Sequence, residues 1–244
     1  SVNTLNEYHD FHSGLDLKTN RTPFSGGSGG LPGNPSAAPA VLLSGLLALS
    51  ITSIIGLYFI SLYGLSLLPL GLIGILLIIT YTKNITHFPW LCLITPGLAF
   101  GPIFLVGSNF VLTGQYSLAA FIASLPIFFL VNNLLLLNQF PDEQIDKEFG
   151  RRHIVIEQGT LKSSQLFLVF NILAYLSLVL AVVLKQLPNE SLLGFIPAIL
   201  ALTTSFSVIK KHHNSDKLLA DMGKNVAVNI LTPILIAIGI IGAL

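Results

Sequence analysis

Apolar residues run along this chain in blocks of about twenty, parted by short polar connections. Seven blocks stand out, at 37–60, 62–82, 88–112, 117–137, 166–184, 191–209 and 225–244. Each is close to the roughly 20 residues that a helix needs to cross the hydrocarbon core of a bilayer. Backbone groups in lipid must be paired within their own segment, so the blocks predict helices. A barrel would show ten-residue stretches of alternation instead. Residues 1–8, polar and ahead of the first block, are expected to be the end of a further helix whose body precedes Ser1. The predicted fold is all-α, a polytopic transmembrane helical bundle forming a single membrane-embedded domain over 1–244.

Counted alternately, the connections fall on two sides. One side receives the polar segment before residue 37, then 83–87, 138–165 and 210–224. The other receives turns near Ser61, at 113–116 and at 185–190. Every lysine and arginine except Lys185, and every acidic residue except Glu190, lies on the first side. Basic residues gather on the cytoplasmic side of membrane proteins. The polar chemistry of this integral, multi-pass chain is therefore expected on the cytoplasmic face.

Composition sharpens the picture. Only 9% of residues are charged and 52% are hydrophobic, where a soluble domain carries about 25% charged residues. No Asp, Glu, Lys or Arg occurs between Arg21 and Lys83, or between Lys83 and Asp142. Such gaps suit consecutive spans, because a charge at mid-membrane costs roughly 2.5–3.5 kcal/mol. A net charge of +1 offers a polyanion no attraction, and no nucleic-acid partner is expected. Cys92 is the single cysteine, which excludes an internal disulfide or a cysteine-based metal site. Met222 is the single methionine and the chain opens at Ser1, so the natural start is expected upstream. The run SGGSGGLPGNP at 25–35 reads either as a flexible connection or as a mobile loop beside a site. It lacks the Gly-Lys-Ser/Thr of a P-loop.

Two polar segments carry candidate chemistry. The first has Asn6, Glu7, Tyr8 and Asp10, followed by Asp16, Lys18 and Arg21; the second has Asn138, Gln139, Phe140 and Asp142, followed by Asp146, Lys147, Arg151 and Arg152. Both fit N-[EQ]-[YF]-x-D, with an arginine five residues after the later aspartate. That pattern reads as an internal repeat, with half-repeats at about 1–112 and 113–244. Residues four apart share a helix face, so Asn6 and Asp10 project together, with Asn3 one turn earlier. If the helix continues past Pro141, Asn138, Asp142 and Asp146 form a second row. Carboxylates stacked in this way repel one another unless a cation lies between them. An oxygen-rich donor set with carboxylates suits Mg²⁺ bound together with substrate phosphates, and Lys18, Arg21, Lys147 and Arg151 offer donors for phosphate oxygens. Either segment alone reads as an ordinary solvated loop; the pairing makes the functional reading.

The segments NEYHDFHSGLD (6–16) and NQFPDEQIDKEFGRR (138–152) resemble the two Asp-rich motifs of the UbiA-type membrane prenyltransferases, and most resemble the 1,4-dihydroxy-2-naphthoate prenyltransferase branch. The similarity extends to Tyr81 and Thr82, to 101–115 and to 217–235. The resemblance implies a nine-helix bundle, of which this chain would lack the first helix and most of the second. It implies Mg²⁺-dependent transfer of a prenyl group from prenyl diphosphate to a small aromatic acceptor, a quinone precursor, with release of diphosphate. On that pattern Asn6, Asp10, Asn138, Asp142 and Asp146 bind metal, and Asp10, Asp142 and Asp146 are the catalytic carboxylates. Lys18, Arg21, Lys147 and Arg151 hold diphosphate, and Asn3, Glu7, Asp16 and Tyr81 are further candidates. Glu7 stands where the family usually has Asp, and TPGLAFGP (95–102) replaces its usual Gly-Leu-Gly-Glu run. Other readings are an ion-coupled transporter, or a relative with a non-aromatic acceptor such as a glycerol phosphate lipid. A transporter calls for carboxylates in mid-span, and the first half of the chain has none there.

Overall fold

The computed structural model describes residues 1–243. Among them every regular element is a helix and no strand occurs. Helix α1 (Val2–Ser13) ends at Gly14, whose φ of 84° lets its N–H turn back to Phe11 O. A glycine-rich loop leads to α2 (Ala38–Tyr63), then α3 (Leu68–Thr80). Next come α4 (Pro89–Thr113), α5 (Leu118–Glu148) and α6 (Ile154–Val183). The chain closes with α7 (Ala198–Lys211) and α8 (Leu219–Gly242).

Six helical stretches are long and apolar enough to cross a membrane, and the stretch Leu65–Thr80 is a shorter apolar helix. The protein is thus a multi-pass membrane bundle. The block 62–82 forms less helix than its hydropathy suggests. Gly64, at φ 80°, stops α2, and Pro69 opens α3 after a tight turn. The 13 residues of α3 rise only about 20 Å at 1.5 Å each, short of a roughly 30 Å core.

The expected connection 138–165 is also different. Helix α5 continues through Pro141 to Glu148 and α6 begins at Ile154, which leaves five residues between them. Proline removes one backbone donor, but the turn beyond it is held by the bundle, with Phe140 and Asp146 both buried. Charge density along 138–165 resembled a loop because polar helix ends look alike in sequence. Gly159, at φ 80°, interrupts α6 near its start.

In lipid there is little hydrophobic gain from joining two apolar helices, so close approach and internal hydrogen bonds carry the association. Helices α4, α5, α6, α7 and α8 pack in this manner. A Cβ on Gly97 of α4 would sit 2.2 Å from Phe128 O of α5, and one on Gly239 of α8 would sit 2.1 Å from Glu190 O. Pro96 and Pro102 open α4 into a wide turn at Ala99–Ile103, and there Gly97 N–H donates to Asn132 Oδ1 at 2.6 Å. Asn133 bonds Phe167 O, Asn171 bonds Ser205, and Asn225 bonds Asn133 O. Leu136, Leu137, Phe140, Ile154, Phe167 and Met222 belong to one buried cluster under the polar ends of α5 and α8. Helix α2 is different: Leu43, Leu47, Ile51, Ile54 and Leu57 are all exposed. In a bilayer those side chains meet acyl chains.

Candidate active site

The two Asp-rich segments meet. Helix α1 carries Asn6 and Asp10 on one face, and the last turns of α5 carry Asn138, Asp142 and Asp146 on another. Between them lies Arg151, supplied by the short connection after α5. Gly150, at φ 77°, reverses the chain so that Arg151 N–H reaches Asp146 O at 2.9 Å, while Arg152 N–H reaches Thr86 O at 2.9 Å. A backbone so pinned at both residues aims the guanidinium. One Arg151 nitrogen donates to Asp10 Oδ1 and the other to Asp146 Oδ1, at 3.0 Å for the latter. Asn6 Nδ2 donates to Asp10 Oδ2 at 3.0 Å and to Thr82 Oγ1 at 3.2 Å. His153 Nε2 stands 3.2 Å from Asp146 Oδ2.

Asn6, Asp146, Arg151 and His153 border a cavity of about 240 Å³, while Asp10 reaches it only through its contacts with Asn6 and Arg151. Its lining also includes the polar Asn3, Asn138 and Asp142 and the less polar Val2, Phe24, Tyr81, Cys92 and Leu135. Asp142 Oδ1 is buried without a hydrogen-bond partner. Asp10 and Asp146 are both under a tenth exposed. Among the described residues no three Asp, Glu, His or Cys side chains are gathered round one point as a ready metal site. The reason is visible in the contacts, since Asp10 and Asp146 are turned onto Arg151.

The charges have measurable consequences. Burial raises the Asp10 carboxyl above its ordinary value and the nearby Asp146 adds to this, while Arg151 and Asn6 oppose it. Asp16, 3% exposed and with Oδ2 unpartnered, is pushed up to about 6 by burial and then by Asp10 and Glu7. Burial works against the Arg151 cation, but Asp146 and Asp10 outweigh it and raise its pKa. It stays protonated.

The other candidates divide. Asn3 lines the cavity, as does Tyr81. Glu7 turns away to the glycine-rich loop, where its carboxylate accepts from Ser28 N–H and Oγ–H. Arg21 folds back to donate to Asp16 O at 2.7 Å and lies over Gly29. Lys18 is exposed, 3.7 Å from Glu148 and above the Phe149 ring, and is not among the residues that line the cavity. Lys147 is exposed, on the turn that presents Asp146 inward. Of the cavity residues that the sequence did not mark as site members, His153, Thr86, Gln139 and Cys92 carry polar or thiol groups. For His153 a signal existed, since it completes the basic run begun by Arg151 and Arg152. The loop at 25–35 does border the cavity, through Ser25 beside Asp142.

Comparison with known proteins fits this geometry. Residues 1–222 match the model of the UbiA prenyltransferase family. A 1,4-dihydroxy-2-naphthoate octaprenyltransferase of Bacillus subtilis (strain 168) is 30% identical over 163 residues, covering 65% of this chain and 50% of that protein. The chain thus spans about half the length of this curated relative. No solved structure matches it. With the family model covering most of the chain and both Asp-rich segments brought to one cavity in an all-helical membrane bundle, this chain belongs to the UbiA prenyltransferase family.

Proposed function

We propose that this protein transfers a prenyl group from prenyl diphosphate to a hydroxylated aromatic acceptor, with Mg²⁺ as cofactor and the site on the cytoplasmic face. One observation carries the reading. Two acidic helix ends from distant parts of the chain share a single guanidinium that borders a cavity lined by polar and apolar side chains together.

The donor set suits a hard cation, because Asn6, Asp10, Asn138, Asp142 and Asp146 offer only oxygen and amide groups, and the unpartnered Asp142 Oδ1 has unused capacity. When bound, Mg²⁺ would neutralise charge on the diphosphate and make it a better leaving group. Arg151 then has a natural second task, since a guanidinium pairs with phosphate oxygens as readily as with carboxylates. As the allylic C–O bond breaks, its electron pair leaves with the diphosphate. The electron-rich ring carbon of the acceptor forms the new C–C bond to the allylic carbon, and its hydrogen leaves as a proton taken up by a diphosphate oxygen. Val2, Phe24 and Leu135 in the cavity lining keep water from the allylic cation.

The test incubates full-length protein with Mg²⁺, one prenyl diphosphate and a panel of hydroxylated aromatic acceptors, and identifies products by mass. A prenylated product formed with one equivalent of diphosphate, and lost when the cation is chelated, is expected. Absence of product across the panel, or turnover indifferent to chelation, would overturn the reading.

A further inference from the structure

Gln139 is one of the polar cavity residues that the chemistry above leaves without a task. It follows Asn138 on α5 and lines the cavity, with Cys92 beside it. Its amide nitrogen is held, since Nε2 donates to Cys92 Sγ at 3.6 Å. The side-chain oxygen is the other half of the same amide, and Gln139 Oε1 is buried without any hydrogen-bond partner. A buried carbonyl left unpaired costs roughly 1–3 kcal/mol, and this one, unlike the unpaired Asn133 Oδ1 and Asn171 Oδ1 of the helix core, belongs to a residue that lines the cavity. A carbonyl oxygen only accepts, so the group it receives is a hydrogen-bond donor, which a diphosphate anion is not.

We infer that Gln139 Oε1 receives the hydroxyl of the aromatic acceptor, and that Cys92, by holding the amide nitrogen, fixes the amide in the receiving orientation. This rests on the proposed prenyl transfer and adds to it the place and the chemistry of acceptor recognition. Accepting a hydrogen bond from a phenolic O–H increases electron density in the ring and so assists attack from its neighbouring carbon. Gln139 is a positioning residue for the acceptor.

The test compares wild type with Gln139→Met, which keeps the length of the side chain and removes the amide, using full-length protein and Mg²⁺. Each is assayed with a dihydroxynaphthalene acceptor and with its mono-O-methyl ethers. Wild type is expected to prefer the free hydroxyl by about tenfold in kcat/KM, the worth of one neutral hydrogen bond at a buried site. The variant should lose that preference while its KM for prenyl diphosphate stays within about twofold, which also certifies that the site is folded. An equal preference in both proteins, with product formed, overturns the acceptor assignment alone. A rise in both KM values together assigns Gln139 a general structural role and overturns it too. No product from wild type overturns the transferase reading itself.

Discussion

Replacing Arg151 by methionine removes the charge that joins the two acidic segments and keeps most of the apolar stem. Asp10 Oδ1 and Asp146 Oδ1 then face each other with no cation between them. Breaking a buried pair by removing one partner costs about 3–5 kcal/mol, because the remaining charge is uncompensated. The Arg151 side chain is 17% exposed and that of Asp10 12%, so some water reaches the site and the lower end, about 3 kcal/mol, is expected. At about 2–4 °C per kcal/mol for a chain of this size, the melting temperature should fall by roughly 6–12 °C. Cys92 provides the assay, since the only thiol is 2% exposed and becomes reactive toward a thiol-sensitive dye when the bundle opens. The deficit should depend on pH with a definite sign. Asp10 is already raised by burial, and Arg151 is the strongest group holding it down. Without Arg151 it rises further. A carboxyl raised in the folded state stabilises the fold as pH falls, so the gap between variant and wild type should narrow from pH 8 to pH 5. An equal melting temperature at pH 8, or a gap that widens toward pH 5, would refute the guanidinium as counter-ion to both carboxylates.

Other outcomes follow from the same contacts. Asp142→Asn should lower turnover by about 10²–10³-fold, as removal of one preorganised electrostatic group does, with the melting temperature held; unchanged turnover would remove Asp142 from the site. Gly97→Ala puts a Cβ 2.2 Å from Phe128 O and should destabilise the bundle by about 1–3 kcal/mol, the usual range for overpacking, read by the same thiol assay. Asp16, whose carboxyl moves from 3.8 to about 6 in the fold, binds a proton between those values that the unfolded chain has released. Wild-type stability measured in chelator should therefore decline as pH rises from about 4 to 6, by at most about 3 kcal/mol from this group. Asp16→Asn should lessen that decline, and an identical pH slope in the two proteins would count against the burial of Asp16.

The membrane bundle was readable because charge-free blocks leave few alternatives. The meeting of the two polar segments was readable because Asn138, Asp142 and Asp146 recur at a helical interval that survives Pro141, and because the same signature recurs at Asn6 and Asp10. What hydropathy missed has local causes. Gly64 and Pro69 shorten α3 without changing its apolar content. Polar helix ends at 138–148 and 154–165 resemble a loop until their periodicity is considered. Arg151 was marked as a phosphate donor, but its bridging of two carboxylates depends on the left-handed Gly150 and on Thr86 O, a partner far away in sequence. The place of Gln139 beside Cys92 needed the third dimension, since the two are 47 residues apart.

Helix α1 seats Leu5 against Gly45 of α2, and α2 itself stands largely clear of the later helices. The first acidic segment therefore rides on a separate leaf of the molecule. Its seam with the remainder runs through Asn6–Thr82 and Asp10–Arg151. A ligand held by both segments would clasp the two leaves, and its binding would then be linked to their contact as one equilibrium measured from two ends.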